Sequence, residues 1–217
     1  MAERSPAGVA EPTGAAAPEP TRRLFFALWP DDRMRAAMAQ ATQEAAQASG
    51  GRRVSLENLH VTLAFLGSVP QRRLPELAAI ARRVAASIPD EDPSPPHEPP
   101  AVELVFEHLE YWRAAHILCA APARPPPGVA ALARRLQERL TESGFAPGEK
   151  TSRSTGSNIA KPFRPHVTLA RKAVRHPRSM AMEAVTWSFV ELVLVASKTH
   201  PEGAVYRVLE SFTMGVG

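Results

Sequence analysis

The chain has 217 residues, of which 44% are hydrophobic and 22% are charged, with a formal net charge of +4. This length and composition are typical of a globular protein with one sizeable domain or two small halves. The sequence has no apolar run near the roughly 20 residues that cross a bilayer and no signal-peptide core. Its single cysteine excludes a disulfide framework and a thiolate metal cluster. We therefore expect a cytoplasmic protein, and the mildly basic charge suits an anionic partner.

The N-terminal segment differs in composition from the rest of the chain. Residues 1–21 are rich in proline and alanine and poor in aromatic residues, so they cannot bury enough apolar surface to order themselves. We predict a disordered tail over residues 1–21 and a single bilobal domain over residues 22–217.

The first half of the domain alternates strand and helix patterns. Arg23 to Trp29 is a short apolar run, typical of a buried strand. Asp31 and Asp32 predict the N-cap of a helix in which apolar residues recur from Met34 to Ala48, before two glycines. A strand that begins at His60 follows, and then a second amphipathic helix from Leu74 to Ile88.

The second half repeats these patterns after a proline-rich loop at residues 89–100. We predict paired strands at 102–109 and 115–120, a helix from Val129 to Leu140, and a strand that begins at His166. The remainder, with apolar runs at 187–196 and 206–212, predicts two more strands that turn at Pro201 to Gly203.

One short motif occurs twice in the chain. His60-Val-Thr-Leu-Ala-Phe65 returns 106 positions later as His166-Val-Thr-Leu-Ala-Arg171, with five of six residues identical. Strand side chains alternate between the two faces of a sheet, so His60 and Thr62 share one face, as do His166 and Thr168. A strand, a proline turn and a helix precede the His strand in both halves, in the same order. We therefore predict an α+β fold of two pseudo-symmetric lobes, each an antiparallel sheet flanked by helices, with the active cleft between them.

Two histidines that face one cleft suit general acid–base catalysis. An unperturbed imidazole has a pKa near ~6.5, so one ring can accept a proton while the other donates one. The hydroxyl groups of Thr62 and Thr168 lie on the same faces and can hold phosphate oxygens. These groups match the needs of phosphoester cleavage, and either histidine can be the acid or the base on this reasoning.

Other interpretations of the histidine pair predict different behaviour. Two histidines with threonines, no adjacent carboxylate and one cysteine provide too few ligands for a zinc centre, so we predict no metal and no cofactor. A metal-dependent hydrolase and an RNA-end binding module without turnover stay as alternatives. The first would lose activity in a chelator, and the second would show no turnover at all.

The doubled motif resembles the 2H phosphoesterase superfamily, and its surroundings resemble the RNA 2′,3′-cyclic phosphodiesterase family, also called the 2′-5′ RNA ligase family. The similar segments lie in the family's order from about Arg22 to Met214, and the second motif with its Phe-Arg-Pro lead is the most specific. These segments are Arg23–Ala27, Glu57–Leu63, Phe65–Gly67, Phe163–Arg171, Leu192–Ser197 and Gly203–Tyr206.

The resemblance implies metal-independent hydrolysis of 2′,3′-cyclic phosphate ends to 2′-phosphomonoesters, on RNA or on a small cyclic nucleotide. It implies that His60 is the proton donor, His166 the proton acceptor, and that Thr62, Thr168 and Arg171 bind phosphate. Strict alternation places Arg171 on the face opposite His166, so its role rests on the resemblance. The family name also suggests reversible 2′-5′ joining of RNA ends. We expect a monomer that does not bind membranes.

Two segments depart from the family pattern and leave the substrate range open. The loop from Glu149 to Ala160 is long and adjoins the second motif, and Glu110 to Ala120 matches the family's strand with arginine and tryptophan only loosely.

We interpret the three tryptophans as core or rim residues, and the five other histidines as structural or solvent-facing. Arg52 and Arg53 are the best candidates for contacts with an RNA backbone. Phe163 or Tyr111 is a candidate for stacking on a base, but we favour a place in the core.

Overall fold

A computed structural model describes residues 19–87, 101–147, 163–177, 180–201 and 203–215. The predicted loops at 89–100 and 149–160 lie outside the described residues, as do residues 1–18 of the predicted tail.

The described residues form strands and helices that follow the predicted order. The strands are β1 (Thr21–Leu28), β2 (Arg52–Arg53), β3 (Val61–Pro70), β4 (Val102–Trp112), β5 (Ile117–Ala121), β6 (Val167–Arg171), β7 (Ala181–Phe189), β8 (Glu191–His200) and β9 (Gly203–Thr213). The helices are α1 (Asp32–Ala48), α2 (Leu74–Ala86) and α3 (Pro127–Glu142).

The strands join in one antiparallel sheet with the order β7-β4-β5-β6-β3-β1-β8-β9, and β2 pairs with β6. This order is symmetric about the junction of β6 with β3, where the two copies of the repeated motif meet. The junction is a single residue pair, Val61 with Val167. The predicted α+β fold with two pseudo-symmetric halves is thus confirmed, and the two halves are parts of one continuous sheet.

The main core lies between the sheet and the helices. α1 packs against β6 and β7, whereas α2 packs against β8, β9 and α3, which also contacts β3 and β4. Val61, Leu63, Val167 and Leu169 point into this core, as the alternation of the two motifs predicts. The opposite face of the sheet is therefore left for the histidines. No helix of the described residues is long and apolar enough to cross a membrane.

Local sequence signals locate α1 well and the last strands poorly. The carboxylate of Asp31 accepts a hydrogen bond from the backbone N–H of Met34 at 2.7 Å and forms the predicted N-cap. The prediction of two strands after the second motif is wrong, because the structure has three. β7 ends at Phe189, and a bend at Val190 separates it from β8. Apolar residues on both sides of this bend made the two strands resemble one run.

Candidate active site

A β-bulge occurs at the same position in both copies of the repeated motif. In β3, Ala27 of β1 pairs with Thr62 and Phe26 pairs with Ala64, so Leu63 is an extra residue without a partner in β1. In β6, Cys119 of β5 pairs with Thr168 and Leu118 with Ala170, so Leu169 is extra in the same way. An extra residue resets the alternation of side chains between the two faces of a sheet. The duplication thus includes the backbone irregularity as well as the residues.

The bulge corrects the prediction for Arg171. Strict alternation places this side chain on the face opposite His166, but the extra residue Leu169 returns it to the face that carries Thr168. Arg171 accordingly lines the same cavity as His60 and Thr168. The corresponding residue of the first motif, Phe65, is brought to the same face by the bulge at Leu63 and lines the neighbouring cavity.

The junction of β3 with β6 brings the two motifs together. Since Val61 pairs with Val167 in an antiparallel register, the next positions place His60 beside Thr168 and Thr62 beside His166, all on one face. Each histidine therefore lies near two threonines, one from its own motif and one from the other motif. The pseudo-two-fold axis passes between the two valines.

Both imidazoles are held by the same kind of hydrogen bond. Nδ1 of His60 lies 2.7 Å from the carbonyl oxygen of Asn58, and Nδ1 of His166 lies 2.8 Å from that of Arg164. A carbonyl oxygen only accepts, so Nδ1 carries the proton in both neutral rings. Nε2 is then the proton-accepting nitrogen, and in His60 it lies 3.1 Å from the Thr62 hydroxyl, which donates to it.

His60 is surrounded by aromatic rings. Its ring stacks on Trp29 at a centroid distance of 5.4 Å, and Phe25 and Tyr206 lie 5.0 and 5.2 Å away. Burial lowers the pKa of His60 from 6.5 to about 4. The carbonyl of Asn58 opposes this shift, and the positive charges of Arg171, protonated His166 and Arg35 add to it. His60 is therefore neutral at pH 7 in the free protein.

His166 has different neighbours, which break the symmetry of the site. Its ring lies 4.4 Å from that of Trp112, whose indole N–H donates to the Glu110 carboxylate at 2.6 Å. Arg164 donates to the same carboxylate at 2.7 Å. Partial burial acts to raise the pKa of Glu110, but the hydrogen bonds from Trp112 and Arg164 outweigh it and the pKa is lowered. Burial lowers the pKa of His166 as well, while the Arg164 carbonyl and the Glu110 charge act to raise it.

Positive side chains gather at the rim of the cleft. Arg52 of β2 pairs with Arg171 of β6, and both residues line a cavity of about 240 Å³ with His60 and Thr168. This close approach depends on Gly51, since a Cβ there would lie 2.8 Å from the carbonyl oxygen of Arg171. Arg53 lines the same cavity. The contact of these two arginines with an RNA backbone stays a prediction.

Tyr111 and Phe163 both pack against the main core, which is the place that the sequence favours for them. The Tyr111 hydroxyl donates to the carbonyl of Ala173 at 2.9 Å. Trp187 is fully buried, as predicted, whereas Trp29 and Trp112 each contact a motif histidine. Sequence patterns did not single out these two contacts, or those of Phe25 and Tyr206, because each depends on which strands become neighbours.

Residues 30–200 match the family model described as the 2′-5′ RNA ligase superfamily. The chain belongs to this superfamily. A relative from Thermus thermophilus named RNA 2′,3′-cyclic phosphodiesterase is 30% identical over 200 residues, which cover 88% of this chain and 90% of the relative. The resemblance to the 2H phosphoesterases is thereby confirmed.

Two solved structures have the same fold as this chain. The crystal structure of TT0787 from Thermus thermophilus has a TM-score of 0.68 at 29% identity, with 89% of this chain and 98% of that chain covered. Escherichia coli LigT complexed with 3′-AMP has a TM-score of 0.68 at 24% identity, with 90% and 99% covered.

The low pKa of His60 predicts a specific loss of stability in acid. Below pH 6.5 the unfolded state binds a proton on His60, whereas the folded state does so only near pH 4. The free energy of unfolding therefore falls as the pH decreases through this window, by up to about 1.4 kcal/mol per pH unit. In urea unfolding at pH 7.0 and 4.5, we expect His60→Gln to lose less stability than the wild type. His200→Gln, at an exposed position, should behave like the wild type, and an equal loss in all three proteins would contradict the assignment.

Proposed function

We propose that this protein is an RNA 2′,3′-cyclic phosphodiesterase that hydrolyses the cyclic phosphate end of RNA to a 2′-phosphomonoester. The observation that carries the proposal is the convergence of two His-x-Thr pairs on one face of the sheet, across the Val61–Val167 junction. The predicted enzyme class, a hydrolase of phosphodiester bonds, is confirmed by the relative named above. The roles of the individual residues are our inference.

The base in the proposed reaction is His166. Its proton lies on Nδ1, toward the carbonyl of Arg164, so Nε2 has the lone pair that can take a proton from water. The water oxygen attacks phosphorus, and the bond from phosphorus to the 3′ oxygen breaks. Glu110, which acts to raise the pKa of His166, stabilises the imidazolium that this step forms.

The acid in the proposed reaction is His60, which gives its proton to the departing 3′ oxygen. The ring is neutral in the free protein because its pKa is about 4. An anionic phosphate placed beside it favours the protonated form and raises this pKa. The substrate thus brings about the protonation of its own acid catalyst.

The remaining groups of the site bind the phosphate. By the register of β3 and β6, the hydroxyls of Thr62 and Thr168 lie on the same face as the two rings. Arg171 lines the cavity beside His60 and Thr168. The guanidinium forms charge-assisted hydrogen bonds with phosphate oxygens, which strengthen as charge develops in the transition state.

The described residues contain no group of three or more His, Cys, Asp or Glu side chains arranged to hold a metal ion, and the proposed steps do not require one.

The proposal also includes reversible 2′-5′ joining of RNA ends, as the family name suggests. It retains the sequence-based predictions of a single domain over residues 22–217, a monomeric state and a cytoplasmic location.

The test is turnover in the presence of excess EDTA. The purified protein is incubated with a nucleoside 2′,3′-cyclic monophosphate and with a short RNA that has the same end, and the product is identified by chromatography. We expect a 2′-phosphomonoester and an unchanged rate in EDTA. Activity that appears only after zinc is added would favour the metal-dependent hydrolase. Tight binding of RNA ends without turnover would favour the binding module.

A further inference from the structure

A second cavity continues from the smaller cavity that His60 lines. It runs along the half of the sheet that contains the first motif, formed by β3, β1, β8 and β9. It has a volume of about 590 Å³ and shares His60, Arg171 and Tyr206 with the smaller cavity. Away from the histidines it is lined by Arg23, Phe65 and Ser197, among others. This extension crosses β1 and β8 on the way from β3 to β9, and we name it the β8 groove. A cavity of 590 Å³ beside one lined by His60, Thr168 and Arg171 leaves room for more than one nucleotide.

The floor of the β8 groove consists of two rows of side chains that cross the strands. In the first row, Arg23 of β1 pairs with Ser197 of β8, which pairs in turn with Tyr206 of β9. In the second row, Phe65 of β3 pairs with Phe25 of β1, which pairs with Val195 of β8. A polar row with a cation thus lies beside an aromatic row.

Phe65, Phe25 and Tyr206 all line the groove, and Phe25 and Tyr206 pack against the His60 ring. Phe65 is the aromatic ring that pairs with a guanidinium. The bulge at Leu63 turns it toward the cleft, and its side chain is half-buried. The guanidinium of Arg23 lies 4.7 Å from the centroid of its ring. An aromatic ring with a guanidinium over one of its faces combines two groups with which proteins hold single-stranded nucleic acid: a surface on which a base stacks and a cation that attracts the phosphate.

We infer that the β8 groove binds the nucleotide that precedes the cyclic end of an RNA strand. Its base would stack on Phe65, and the phosphate that joins it to the terminal nucleotide would meet Arg23. This inference rests on the proposed function and specifies the substrate: an RNA end of two or more nucleotides, in preference to a mononucleotide. The position of the groove next to His60 allows one strand to occupy both cavities.

The experiment compares a nucleoside 2′,3′-cyclic monophosphate with the dinucleotide that ends in the same group. Stacking and charge together predict a kcat/KM about tenfold or more higher for the dinucleotide with the wild-type enzyme. Arg23→Gln and Phe65→Leu should remove most of this advantage and change the mononucleotide rate by about twofold at most. Arg22→Gln is the matched control, because Arg22 lines a different depression beside α2.

A binding titration makes the test independent of turnover. The products, a dinucleotide and a mononucleotide with a 2′-phosphate, are titrated into the wild type and both variants, and circular dichroism checks their folding. Equal affinity of the wild type for the two products would overturn the inference. It would also be overturned if the variants weakened both products equally, since the groove would then hold the terminal nucleoside. No turnover of either substrate, with a preserved affinity difference, would contradict the proposed function and leave the groove assignment standing.

Discussion

Replacing either His60 or His166 with alanine is expected to lower kcat by about 10²–10⁴-fold, because each ring performs one of the two proton transfers. Without His166 the attacking water keeps its proton, and without His60 the 3′ oxygen leaves as an alkoxide. The effect should appear in kcat more than in KM, since the proton transfers occur only in the transition state. Steady-state kinetics on a nucleoside 2′,3′-cyclic monophosphate measure both quantities.

A third histidine provides the control for these two variants. His116 is exposed and has a left-handed backbone with φ of 53°, a conformation that asparagine tolerates. His116→Asn should therefore keep its fold and turn over the substrate at the wild-type rate. If His60→Ala or His166→Ala retained most of the activity while folding normally, the assignment of that ring as acid or base would be wrong.

Replacing Arg171 with methionine is expected to lower kcat/KM by about 10²-fold, as found when one preorganised donor to a developing charge is removed. Methionine keeps much of the aliphatic length of arginine and removes the charge. Because Arg171 would contact the phosphate in the ground state as well, KM should rise while kcat falls. Inhibition by inorganic phosphate should weaken in parallel, which an inhibition constant measures without reference to turnover.

Substitution of Lys172 distinguishes a direct contact between Arg171 and phosphate from a general electrostatic attraction of anions. Lys172→Met removes the same charge one position later, from an exposed side chain that does not line either cavity of the site. A long-range attraction of anions would respond to both substitutions and fade in salt. We expect only Arg171→Met to matter, and similar losses in the two variants would refute a specific phosphate contact.

The sequence predicts the two motifs, their facing histidines and the pseudo-symmetric halves, because these follow from a local pattern that occurs twice. The alternation of side chains does not predict that Arg171 enters the cleft, which only the family resemblance implies. A bulge is a property of a strand pair, and Leu63 and Leu169 become extra residues only through the register of β1 and β5. The position of Phe65 on the same cleft has the same origin.

The differences between the two histidine environments also depend on tertiary structure. His60 meets Phe25 of β1, Trp29 directly after β1, and Tyr206 of β9. His166 meets Trp112, which Glu110 holds in place. A repeated sequence motif suggests equal histidines, whereas the structure gives His60 an apolar and cationic environment and His166 a nearby carboxylate. This asymmetry supports the proposed assignment of His166 as base.

The central claim is that the two histidines act as one catalytic unit, and the double variant tests it most directly. Kinetics in excess EDTA on a nucleoside 2′,3′-cyclic monophosphate compare the wild type, His60→Ala, His166→Ala and the double variant. Groups that act together show strongly non-additive losses. We predict that the double variant loses about as much activity as the more damaged single variant. Losses that multiply would show that the two rings contribute independently and would contradict the claim.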